Sequence, residues 1–168
     1  MKFLYILRHA KSSKNDPSLM DFDRPLNSRG LKTAPLMGRL AFERKWSFDV
    51  ILSSPAIRAK QTAELFAREA HFHNKLKFVK SFYPGEPQTY LEVLAQQDDT
   101  YQSILVVGHN LALENLLEHL VRKHEPLPTA ALAQVELPIR QWTDLSIESQ
   151  GRLITILKPK EILKIDED

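Results

Sequence analysis

A chain of 168 residues, 43% hydrophobic and 26% charged, with a net charge of +2, is long enough to bury a core as one domain and has the make-up of a soluble globular protein. It has no cysteine, which excludes disulfides, thiolate metal sites and a cysteine nucleophile. No apolar run is long enough to span a bilayer, the N-terminal apolar stretch lacks a small-residue cleavage site, and no dense Lys/Arg block argues for nucleic acid; the expectations are one domain over residues 1–168, a cytoplasmic location, and neither membrane nor nucleic acid as partner.

Lys2–Leu7 is a short run of β-formers that ends in Arg8 and His9, the pattern of a strand buried on both faces. In an open α/β sheet a ligand sits beyond the carboxyl ends of such strands, which places Arg8 and His9 where a ligand would be. Residues 13–26 are polar, carry two prolines and read as a loop walling that site. Asn27 or Ser28 can cap a helix to about Arg44, with Leu31, Ala34, Met37, Leu40 and Ala41 on its apolar stripe; Pro35 either kinks it or delays its regular part to Ala34. Phe48–Ser53 is a second strand. Ser54-Pro55 reads as N-cap and first-position proline of the next helix, whose first turn holds Arg58 beside the positive end of the dipole.

Leu76–Val79 is a weak third strand, 82–87 a turn-rich loop, and Tyr90, Leu91, Val93 and Leu94 mark a short helix. Ser103–Val107 is the clearest buried strand; it ends in Gly108-His109-Asn110 and leads into a helix carrying Leu113, Leu116, Leu117, Leu120 and Val121. Residues 131–137 alternate and suggest a half-exposed or edge strand. Leu153–Leu157 is a last strand stopped by Pro159, and Asp166-Glu167-Asp168 is expected to fray. Strands alternating with helices imply a mainly parallel sheet covered on both faces, with Arg8, His9, Arg58 and His109 at one rim, a set of forks and imidazoles suited to a phosphoryl group.

These residues resemble the histidine phosphatase superfamily. Arg8-His9-Ala10-Lys11-Ser12, Asp23-Arg24-Pro25-Leu26-Asn27 with Arg29-Gly30, Ser53-Ser54-Pro55-Ala56 with Arg58-Ala59 and Gln61-Thr62-Ala63, Val107-Gly108-His109-Asn110, and Pro128-Thr129-Ala130-Ala131 are similar to its small SixA-like branch, over nearly the whole chain. The resemblance implies a phosphoglycerate mutase-like fold, a three-layer α/β/α sandwich whose mainly parallel central sheet has an antiparallel edge strand. It also implies a phosphatase without a cofactor, in which His9 becomes phosphorylated and Arg8, Arg58 and His109 complete the catalytic pocket. Ala10 stands where the superfamily usually has Gly. Relatives acting on sugar phosphates carry a general acid in an insertion after the third strand; here residues 80–88 are short and Glu86 is their one carboxylate, a possible acid.

The groups themselves suggest the chemistry. A nucleophilic imidazole must be neutral, and Arg8 and Arg58 are expected to depress the His9 pKa. The same arginines would stabilise a phosphoryl group in flight, with no metal required. A short 80–88 segment leaves the pocket open to a bulky partner, so a phosphohistidine protein is the expected substrate and a small phosphomonoester the next. Arg24, Ser12 and Asn15 are candidate substrate contacts, although Arg24 could pair with Asp21 or Asp23 instead. His71 and His73 have metal-pair spacing but no third ligand, and with His119 and His124 read as surface residues. Trp46 and Trp142 read as packing groups. A non-catalytic phosphate-binding module and, from the basic pI alone, a nucleic-acid binder are the alternatives.

Overall fold

The structure is a computed structural model that describes residues 1–166. Six strands, β1 (Lys2–Arg8), β2 (Val50–Ser53), β3 (Lys75–Phe78), β4 (Ser103–Gly108), β5 (Leu132–Leu137) and β6 (Arg152–Leu157), form one sheet in the order β3-β2-β4-β1-β5-β6. The first four of that order run parallel, and β5 lies antiparallel to both β1 and β6. Helices α1 (Ser28–Glu43), α2 (Ile57–Glu69) and α5 (Pro159–Asp166) cover one face, and α3 (Pro87–Ala95) and α4 (Ala112–Val121) the other.

The sheet alternation sorts the core. Leu4, Ile6, Ile104, Val106, Val50 and Leu52 point towards Leu91, Leu94, Leu113, Leu117 and Trp142. Tyr5, Leu7, Leu105, Val107 and Ile51 point towards Ala34, Met37, Ala59, Ala63 and Phe66. Central strands buried on both faces read as continuous apolar runs for this reason. Trp142 is fully buried and Trp46 partly so, both as packing groups.

Register sets the site. Arg8 pairs with Gly108 and Ser53 with Val107, so the carboxyl ends of β1, β4 and β2 finish level. The His9 amide then donates to Gly108 O (3.0 Å) and the Ser54 amide to Val107 O (2.9 Å), carrying the alignment one residue past the strands.

Several expectations need correction. Pro35 does not delay α1: the helix starts at Ser28 with the Asn27 side chain accepting from the Gly30 amide, and Pro35 sits inside it. Ser54 is not an N-cap. α2 begins at Ile57 after Ala56, which has no side chain to cap with, and Ser54 turns into the site instead. Residues 132–137 are not the edge: β6 lies outside β5, and the polar Gln134 is buried because its Nε2 donates to the Tyr5 hydroxyl (3.0 Å). Pro159 does stop β6, but it also opens α5, a helix without an expectation in the sequence reading. Of the acidic end expected to fray, Asp166 closes α5, and Glu167 and Asp168 lie outside the described residues.

Candidate active site

His9 follows β1 and is only 8% exposed. Its ring Nδ1 lies 2.7 Å from the Ala10 carbonyl oxygen. A carbonyl can only accept, so the contact requires the proton on Nδ1 and puts the lone pair on Nε2, which has no hydrogen bond to a described residue. The imidazole is held neutral, its pKa pushed down to about 3. Burial is the largest cause, working against the Ala10 bond; the charges of His109, Arg58 and Arg8 add smaller depressions. Arg8 and Arg58 depress the pKa as expected, but burial does more.

His109 follows β4, its ring centroid 5.2 Å from that of His9. Its Nε2 lies 2.7 Å from Ser54 Oγ, which also accepts from the Ala56 amide (3.2 Å). The Ser54 proton is free to be donated to Nε2, a pairing that leaves His109 its own proton on Nδ1. Burial, then the charge of Arg58, pushes this pKa down to about 4. Gly108, just before it, packs its α-carbon against the Tyr90 hydroxyl, which fills the space a Cβ would need.

Arg8 donates from Nη1 to Leu127 O (2.9 Å). Arg58, the second residue of α2 and 6% exposed, donates from Nη1 to Asp21 O (2.7 Å) and from Nη2 to Asp21 Oδ2 (3.0 Å). Both Nε atoms, and His109 Nδ1, are buried with no partner among the described residues. Three orphaned nitrogens around one neutral imidazole call for an acceptor, since buried donors are almost always paired.

Support comes from α2. Thr62 Oγ1 accepts from the Ala10 amide (3.0 Å) and donates to Arg58 O (2.7 Å), tying the turn after β1 to the helix that carries Arg58. Gln61 Oε1 accepts from the Leu26 amide (2.8 Å) and fixes the end of the long loop. Across β1, the buried Ala130 has φ +63° and its amide donates to both Arg8 O and His9 O (3.1 Å each).

The loop supplies residues the sequence reading did not place in the site. Asp21 sits in a 3₁₀ turn (Asp21–Asp23); besides Arg58, its carboxylate accepts from Arg24 (2.9 Å) and from the Tyr83 hydroxyl (2.7 Å). Those bonds, the Tyr83 one foremost, hold its carboxyl below the usual carboxylate range. Phe22 and Tyr83 meet edge to face at 5.1 Å, and Tyr83 lies 5.5 Å from His109. The rim is thus bridged, and the short 80–88 segment does not leave it open. Asp21 was legible only as a partner of Arg24; Tyr83 sits in an aperiodic loop with no signal at all.

Of the candidate substrate contacts, Arg24 pairs with Asp21 and donates from Nη1 to Ser12 Oγ (2.8 Å) and Ser13 O (3.1 Å). Asn15 is exposed and its side chain makes no hydrogen bond among the described residues. Glu86 immediately precedes α3, exposed, and likewise bonds none of the four pocket residues. His71 and His73 line a separate cavity of about 710 Å³ with Phe42, Trp46 and Phe48, sharing no residue with the hollow. No group of three or more metal-ligating side chains occurs among the described residues.

Residues 4–78 match the model of the histidine phosphatase superfamily (branch 1). An uncharacterized protein of Mycobacterium tuberculosis is 34% identical over 150 residues, 83% of this chain and 91% of its own. A crystal structure from Agrobacterium tumefaciens, described as a candidate phosphohistidine phosphatase SixA, superposes with a TM-score of 0.81 at 32% identity, covering 94% of this chain and 98% of that one. A protein histidine phosphatase SixA complexed with tungstate shares the fold, with a TM-score of 0.79 at 22% identity, over 95% and 99% of the two chains. The family model covers residues 4–78, and the relatives at 34% and 32% identity extend the likeness over 83% and 94% of the chain: the chain belongs to the histidine phosphatase superfamily, in its SixA-type branch, and is a phosphatase.

Proposed function

We propose that this phosphatase hydrolyses phosphohistidine through a covalent phosphoryl intermediate on His9 Nε2. One observation carries the reading: Arg8 Nε, Arg58 Nε and His109 Nδ1 are buried without partners beside a neutral imidazole whose only unbonded nitrogen is Nε2. Nε2 attacks phosphorus, the bond from phosphorus to the leaving nitrogen breaks, and that nitrogen takes a proton from solvent. Water then attacks phospho-His9, releasing inorganic phosphate and restoring the neutral ring. The three donors hydrogen-bond the equatorial oxygens and the two guanidiniums offset their charge, the role a metal ion plays elsewhere, so no metal is invoked.

The leaving group decides the substrate. An alkoxide needs an acid, and the carboxyl that bonds Arg58, that of Asp21, is held ionised. An imidazole leaves readily from phosphorus without one. Glu86 would serve as the acid only if the loop before α3 turned it inward. We assign Arg24 and Ser12 to holding Asp21 and the loop, and Asn15 to the outer rim. A small phosphomonoester is the second reading, favoured by the 8% exposure of His9, which suits a compact substrate.

The test compares p-nitrophenyl phosphate with a phosphohistidine protein, using wild type and His9→Ala. Turnover of the protein substrate together with acid-labile labelling, both lost in His9→Ala, is expected. Turnover of the small ester alone would favour the second reading, and phosphate binding without His9-dependent turnover would mean a non-catalytic module.

A further inference from the structure

A second basic recess, of about 140 Å³, lies on the same rim as the catalytic hollow but on the other side of β1, between the starts of α1 and α5. Lys11, Arg29 and Lys160 line it, with Thr33 and Thr129, and none of its lining residues is acidic. None of the three cations has an ion pair among the described residues. At the start of α1 the Asn27 side chain takes the Gly30 amide and its carbonyl the Leu31 amide, which leaves those of Ser28 and Arg29 without an intrahelical acceptor; α5 opens on Pro159, which has no N–H, and its Glu161 amide donates to Lys158 O, so it offers only that of Lys160. A separate observation points to a ligand. Thr33 is 4% exposed and lines the recess, yet its hydroxyl makes no hydrogen bond among the described residues, whereas Thr62 in the neighbouring helix bonds its own helix backbone.

Position links the recess to catalysis. Lys11 is two residues beyond His9, and its carbonyl accepts from Asn27 N (3.0 Å). Thr129 precedes Ala130, whose amide holds the Arg8 and His9 carbonyls. The recess and the hollow thus share the backbone of one turn, and an extended substrate can reach both.

We propose that this recess is a second anion site, which holds a further acid group of the substrate, a carboxylate or phosphate beside the phosphoryl group being removed. Recognition of that group in the substrate rests on the reading of the hollow as the phosphoryl site; binding of an anion does not. Substrates of this class are acidic peptides or proteins with Asp, Glu or a second phosphate flanking the phosphorylated residue. Lys11, Arg29 and Lys160 supply charge, and Thr33 with the helix-start amides supplies short-range hydrogen bonds.

Two measurements test it. In the first, sodium sulfate is titrated into ¹⁵N-labelled His9→Ala protein, followed by amide shifts. A set of shifts at Arg29, Thr33 and Lys160 is expected, lost in Lys11→Gln/Arg29→Gln/Lys160→Gln and weakened in the near-isosteric Thr33→Val. Absence of that set, or its survival in the triple variant, overturns the site. In the second, phosphohistidine peptides with Glu or with Gln flanks are hydrolysed by wild type and by the triple variant. The expected result is an advantage of about tenfold in KM for the Glu peptide, abolished in the variant, with p-nitrophenyl phosphate kinetics unchanged. Sulfate shifts with equal KM for both peptides would overturn the substrate assignment in favour of a free-anion site. Hydrolysis of p-nitrophenyl phosphate but of neither peptide would instead refute the phosphohistidine reading, leaving the sulfate result to judge the recess.

Discussion

Asp21 and Arg58 set the residue-scale balance. The carboxylate could compete with a phosphoryl group for Arg58, or it could aim the guanidinium so that Nε faces the hollow. Half of the Asp21 side chain is in solvent, so its charge is screened, whereas Arg58 is buried and would be left with two unpaired Nη groups. Aiming wins on these magnitudes. Asp21→Ala should lower kcat/KM about tenfold, and Asp21→Asn, which keeps an acceptor, should recover most of it. Arg58→Lys should lose about a hundredfold, because a point charge cannot bond Asp21 and a phosphoryl oxygen together.

The two imidazoles add a pH dependence. Unfolded, each titrates near about 6.5; folded, they sit at about 3 and about 4. Between those limits the unfolded chain binds more protons, so stability falls as pH falls below about 6.5, by up to about 1.4 kcal/mol per pH unit for each ring. Urea melts from pH 7 to 4.5 should show that slope, and His9→Gln/His109→Gln should flatten it. The four basic residues were legible because strand ends in a parallel sheet converge whatever the loops do. Asp21 and Tyr83 were not, because their meeting depends on two aperiodic loops.

At the scale of elements, close backbone approach explains the glycines of the motifs. Gly30 meets the Lys11 carbonyl and Gly108 meets Tyr90; Gly38, outside the motifs, likewise meets Phe66 backbone. Gly108→Ala should destabilise by about 1–3 kcal/mol through overpacking and should disturb His109. Tyr90→Phe, which removes the hydroxyl oxygen the new methyl would strike, should restore part of the loss in a double-mutant cycle of thermal melts. Most elements were readable from periodicity. β5 misled because Gln134 finds the Tyr5 hydroxyl and not water. Ser54-Pro55 misled because a serine before proline caps a helix only if the helix starts there, and here two more residues intervene.

For the whole molecule, the bridge from Asp21 and Phe22 to Tyr83 sets which substrates fit. If that bridge lies across the entrance, a phosphoryl group on a protein surface should reach Nε2 only when the two loops part. Tyr83→Phe breaks one bond to Asp21 and keeps the ring contact with Phe22. It should raise the ratio of kcat/KM for a phosphohistidine protein over p-nitrophenyl phosphate, by about threefold. An unchanged or lower ratio would mean the bridge does not gate large substrates.

β1 lies inside the sheet, yet both of its neighbours are made long after it. β1 bonds only to β4 and β5, segments about a hundred or more residues downstream. A nascent chain therefore holds this apolar strand unpaired until β4 and then β5 have been synthesised, and such distant closures are slow. Release of the chain before Leu137 should leave an aggregation-prone product, and chaperone dependence during synthesis should track that wait rather than the finished enzyme's stability.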